Sequence, residues 1–257
     1  SIESGIPKQI WEMIQSECDA ETGNEPLTAR SIFEGRNATI AKQNNPDYVI
    51  CAAAGLRILR NALAMLITEN EAYKQTALNQ IWTLIDESVF PDWIDQAHLR
   101  FNLPADLRTG MLSQDVAIGF DWLYPYLTKK ERDRIIEGLD RRGIQPFLTS
   151  MAQDPWWAND LNNWYTVIIG GLGVAGMALG DAHPQSQELI DISLGKMRHY
   201  LTIYGKGGEF NESVAYSNAT RFPVSFFFAG RLFFPDVVSN VVSVIVLYPI
   251  FRGVCLH

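Results

Sequence analysis

A chain of 257 residues that is 47% hydrophobic and 19% charged is long enough to bury one large core or two modest ones, which excludes disorder as its main state. A formal net charge of -8 and a pI near 5.0 exclude nucleic acid as a partner held by bulk charge, so a polyanionic substrate would need a locally positive cleft. Three cysteines (Cys18, Cys51, Cys255) are too few and too scattered for a disulfide framework, and no Cys/His spacing suggests a zinc site.

In chain order, Ile6, Ile10, Trp11 and Ile14 recur at helical spacing up to Cys18, and the polar run from Thr22 to Pro26 predicts a turn. Pro46 precedes a long Ala, Leu and Ile-rich segment, Tyr48 to Thr68, which reads as a second helix, and Glu71 to Phe90 repeats the pattern. Leu107 to Leu127 continues it and is expected to end at Pro125, because the residue before a proline is pushed out of the helical region. Thr128-Lys-Lys-Glu131 is a capping box for the next helix, with Gly143 as its expected stop. Leu161 to Leu179, Gln185 to Tyr204 and roughly Ser213 to Phe233 extend the series, and little of the chain alternates with period two. The expectation is an all-α chain of paired antiparallel helices, one helical domain over 1–257, stacked as a toroid or solenoid rather than a coiled coil. Val237 to Leu256 is almost continuously apolar; interrupted by Asn240, Pro249 and Arg252, it is expected to join a core that continues beyond the chain rather than to span a membrane.

The stretch from Asn159 to Asn218 holds the candidate chemistry. Gly171, Gly173 and Gly176 match the spacing of a dinucleotide-binding fingerprint, yet no strand-helix-strand alternation surrounds them, so close helix packing is the expected role of these glycines. Asn162, Asn163 and Trp164 open that helix, where an Asn side chain either caps it or donates to a substrate carboxylate. Tyr216 follows a loop marked by Gly205, Gly207 and Gly208. Glu209 and Glu212 suit an acid and base pair or a helix start. Trp156, Trp157, Trp164, Tyr165 and Phe210 supply aromatic faces of the kind that stack on sugar rings. His183 and His199 are read as turn or surface residues.

Asn-Asn-Trp, an apolar Gly-Gly-x-Gly helix and then Gly-Gly-Glu-Phe-x-Glu-Ser-x-x-Tyr about fifty residues later resemble the heparinase II/III-like and alginate-lyase-like polysaccharide lyases, as does Gly119 to Tyr126 with its following capped helix. The likeness covers roughly Pro46 to Pro223. It implies an incomplete (α/α) toroid, truncated ahead of C-terminal β-sandwich domains, with a periplasmic or secreted location and no cofactor or metal. It further implies β-elimination at a uronic acid within an acidic polysaccharide. Asn163 would neutralise the substrate carboxylate and Tyr216 would act as base and acid, with Asn162, Trp157, Trp164, Glu212 and Arg221 binding substrate. Where the family often has a histidine after this Asn, Trp164 stands, and a second family histidine belongs to the β region. Arg221, Arg198 and Lys206 are the cations nearest Tyr216 in sequence. Two other readings stand beside this one: an (α/α)-barrel glycoside hydrolase using Glu209, Glu212 or Asp160, which needs a separated carboxylate pair, and a noncatalytic carbohydrate-binding helical fragment.

Overall fold

The computed structural model describes residues 4–32, 46–204, 212, 216, 219–231, 233 and 234. Within them the chain is all-α: α1 (Gly5–Glu21), α2 (Pro46–Thr68), α3 (Glu71–Ile85), α4 (Leu107–Leu123), α5 (Lys129–Leu139), α6 (Gln145–Ala152), α7 (Asn163–Leu179), α8 (Ser186–Tyr200) and α9 (Arg221–Gly230). The expected helices are present, and most differences are at their ends. The segment Val237 to Leu256 lies outside the described residues, as do Lys206, Glu209 and Phe210.

Local chemistry sets several of these ends. The Thr128 hydroxyl accepts from the Glu131 amide while the Glu131 carboxylate accepts from the Thr128 amide, the reciprocal cap read from the sequence. Helix α4 starts on a second such box, Asp106 with Thr109. Helix α3 stops at Ile85 rather than Phe90, because Asp86 turns its carboxylate onto the amide and hydroxyl of Ser88 and competes with the helical pattern. Leu123 passes into a tight turn, Tyr124–Tyr126, that contains Pro125.

Gly143 does not stop a helix. The chain runs from α5 through a single π turn, Asp140–Ile144, straight into α6. A Cβ on Gly143 would stand 2.3 Å from Ser113 Oγ, so the glycine is needed where this turn presses on α4, not as a left-handed cap.

Helix α7 is the centre of the packing, flanked by α4, α8 and α9, while α2 packs on α1, α3 and α4. Tyr165 to Met177 are buried without interruption, so α7 has no polar face and belongs inside a core. Its most apolar window, like that of α2, has the length and hydropathy of a membrane span, yet 78% of that window is buried within the fold. Ile168 and Leu172 are fully buried, each contributing about 2 kcal/mol of apolar burial. Among the described residues the glycines of α7 sit inside a helix, not after a strand, which removes the dinucleotide-binding reading. Gly171 and Gly110 instead bring the backbones of α7 and α4 together: a Cβ on Gly171 would lie 2.1 Å from the Gly110 carbonyl oxygen.

Polar anchors fasten the outer segments. Arg57 donates to the carbonyls of Glu21, Asn24 and Glu25, tying the end of α1 and its following loop to α2. Gln80 holds both the amide and the carbonyl of Leu27. Cys18 and Cys51 are free thiols in the core.

Candidate functional site

The first turns of α4, α7 and α9 open onto one cleft of about 460 Å3. Leu107, Arg108 and Met111 line it from α4, Asn163, Trp164 and Val167 from α7, and Arg221 and Phe222 from α9. Tyr48, Asp95, His98 and Tyr216 complete the polar and aromatic wall. The first turns of three helices meet at this cleft, and the two guanidiniums on its wall are each paired with a carboxylate, Arg108 with Asp95 and Arg221 with Asp115.

Asn163 is half-buried, and its Nδ2 donates to Glu212 Oε1 at 2.7 Å. That bond fixes which way the amide faces and leaves its second N–H for a ligand. Glu212 does not line the cleft but braces Asn163, and its other carboxylate oxygen has no partner among the described residues. Tyr216 is 49% exposed at the rim. Arg221 reaches Asp115 with a 3.9 Å ion pair from its place on the cleft wall.

Asn162 is the N-cap of α7, its side-chain oxygen accepting from the Trp164 amide at 3.0 Å, so its chemistry is spent on the helix start. Trp157 is placed differently from the sequence expectation. It is fully buried and stacks on Phe147 at 6.3 Å, because the turn Trp156–Ala158 sends adjacent side chains in different directions. Its neighbour Trp156 is the exposed one, 5.0 Å from the Trp164 ring. Tyr165 is also core, donating to the Lys196 carbonyl. Asp160 is exposed outside the cleft wall, and Arg198 and His199 are exposed on α8. His183 packs at the π turn, 3.0 Å from Asp140.

Sequence reasoning missed the wall opposite Asn163. Asp106, the N-cap of α4, is fully buried and its Oδ2 accepts from the Asp95 amide at 2.8 Å and faces His98 Nδ1 at 2.9 Å. Its Oδ1 accepts from the Arg108 amide. Asp95 pairs in turn with the Arg108 guanidinium, which lies over the Tyr48 ring. The His98 ring stands 4.8 Å from Trp164 and 6.1 Å from Phe101. The signal available was a charged loop, Pro91 to Asp106, interrupting a chain of regular helices; such loops carry function more often than the elements they join.

Asp115 underlies the Arg221 wall. Burial pushes its carboxyl up to about 6, against the opposing pull of Arg221 and of a hydrogen bond from Gln114. Between the ordinary value of 3.8 and about 6 the folded protein holds a proton that the unfolded chain has released. Stability therefore falls as pH rises through that window, by about 3 kcal/mol from this group. Asp115→Asn removes the buried charge at nearly constant shape, and is expected to gain about 1–3 kcal/mol over the parent at neutral pH and to lose that gain in acid. Denaturant unfolding of both proteins across this pH range checks it; a difference independent of pH contradicts it.

No family model matches the chain, and no curated protein is significantly similar to it.

Proposed function

We propose that the cleft performs β-elimination on a uronate-containing acidic polysaccharide, as a lyase of the heparinase II/III-like or alginate-lyase-like kind. The observation that carries the reading is that Asn163 and Tyr216, from segments far apart in sequence, line the same cleft together with Arg221. The proton on C5, α to the uronate carboxylate, is weakly acidic, so catalysis has to neutralise that carboxylate and stabilise its enolate-like charge with groups already in place. The oriented Asn163 amide, the first turn of α7 and the Arg221 guanidinium suit that demand. Tyr216 supplies a proton carrier at the rim, and Trp164 with Trp156 offers flat faces for sugar rings. The same reading carries the (α/α) toroid, a periplasmic or secreted location and companion β-sandwich domains.

The test is ultraviolet absorbance of unsaturated uronate released from alginate, hyaluronan or heparan sulfate. Release by the wild-type protein from at least one polymer is the expected result. No release from any of them counts against the reading.

A further inference from the structure

The Asp106 and His98 pair has the construction of a proton-transfer device. Two backbone amides already donate to the Asp106 carboxylate, the Asp95 amide to Oδ2 and the Arg108 amide to Oδ1. Backbone N–H groups only donate, so the carboxylate is held as an acceptor and His98 Nδ1 carries the proton between them. In the neutral ring Nε2 is then the basic nitrogen, and no hydrogen bond engages it among the described residues. Trp164 and Phe101 flank the ring, and Asp106 is itself locked by the start of α4, with Thr109 Oγ1 accepting from its amide and donating to the Trp93 carbonyl. A buried carboxylate, a fixed tautomer and an open nitrogen in a cleft are more than a helix cap requires.

We propose that His98 is the base of the reaction in this cleft, with Asp106 its positioning residue and Tyr216 the acid. This rests on the lyase reading above. Nε2 of neutral His98 takes the C5 proton, the C5–H electron pair forms the C4=C5 double bond, the C4–O4 bond breaks, and O4 leaves with the Tyr216 phenolic proton. The imidazolium and phenolate then return to their starting states by proton exchange through water. Divided in this way, Tyr216 only donates a proton, whereas a single tyrosine acting as base would first have to lose one.

The charged and titratable groups on the elements around His98 are Asp106 and Arg108 of α4, Asp95 and Arg100 of its own loop, Asp47 and Tyr48 of α2, and Tyr216 and Arg221 on the cleft wall. The reaction consumes a free lone pair on the base, so kcat/KM of the wild-type protein is expected to fall toward acid pH.

The experiment measures formation of unsaturated product by the full chain on whichever of alginate, hyaluronan and heparan sulfate the wild-type protein cleaves fastest. His98→Gln retains an amide N–H donor but has no basic nitrogen able to take up a proton. It is expected to lower kcat about 10²- to 10⁴-fold with little change in KM and to abolish the acid limb of the profile. His98→Ala leaves a gap beside Trp164, and added imidazole is expected to restore part of its activity. His98→Gln with near wild-type kcat and an intact acid limb overturns the proposal, as does a loss that appears only in KM. A loss that leaves the limb in place and resists imidazole also overturns it, marking His98 as structural. Product from the wild-type protein together with any of these results removes His98 alone; no product from the wild-type protein on any polymer removes the lyase reading and this assignment with it.

Discussion

Gly171→Ala lowers the midpoint of thermal unfolding by roughly 5–10 °C, corresponding to a loss of about 2–3 kcal/mol in a chain of this size. The added methyl would stand 2.1 Å from the Gly110 carbonyl oxygen and 2.7 Å from its carbonyl carbon, and both are backbone atoms inside α4. No side chain can rotate aside, so the two helices must move apart. That cost exceeds the gain of about 1 kcal/mol that alanine brings to a helix interior over glycine. Gly195→Ala provides the contrast: this glycine is exposed on α8 and an added Cβ meets nothing within 4 Å, so only the propensity gain acts and the midpoint rises. Calorimetry of both variants decides the matter, since equal shifts of the same sign would mean that the α4 and α7 contact is not tight. Because α7 carries Asn163 and α4 carries Arg108, the loss at Gly171 also changes how the two cleft walls face each other.

Tyr216→Phe reduces kcat by roughly 10²- to 10⁴-fold while leaving the fold in place. The phenol ring is about half exposed, and removal of its hydroxyl opens no cavity in the core. Asn163→Ala costs on the order of 10²- to 10³-fold, the size expected when one placed donor to a developing negative charge is lost. On the proposed lyase reading the loss at Asn163 is expected to fall on kcat more than on KM, because the carboxylate charge that the amide would meet grows in the transition state. Asn163→Ala also releases Glu212 from its hydrogen bond, so Asn163→Asp is the sharper companion: it keeps the shape but sets a second carboxylate beside Glu212 and repels an anionic substrate. Steady-state kinetics on a uronate polymer separates these outcomes. A Tyr216→Phe protein with wild-type kcat would remove the phenol from the chemistry.

The helices were legible because they are written in local signals. Thr128 with Glu131 gave a start by residue type and spacing, and the run Leu161 to Leu179 read as a helix whose glycines allow close packing, as α7 shows. Ends were less legible where a side chain overrode the pattern, as Asp86 does, or where a glycine had two possible meanings. Gly143 reads as a stop along the chain and becomes a contact point only when Ser113 is seen beside it. The same limit governs the site. Asn163, Trp164, Tyr216 and Arg221 could be gathered because one resemblance spans them, and they line one cleft. Trp157 could not be told from Trp156 by composition, since which of two neighbours faces outward depends on the phase of a short turn. His98, Asp95 and Arg108 are joined by hydrogen bonds and an ion pair across a loop that has no periodicity to read. His98 comes next to Trp164 only through the packing of that loop on α7.

The most direct test of β-elimination in this cleft is the mass of the oligosaccharides that the wild-type protein releases from a uronate polymer. Elimination breaks the C4–O4 bond without adding water, so each new non-reducing end is lighter by one water than a hydrolytic end and carries a double bond; that is the predicted result. New ends that have taken up water would show hydrolysis instead, and would contradict the assignment of Asn163 and Tyr216 to β-elimination.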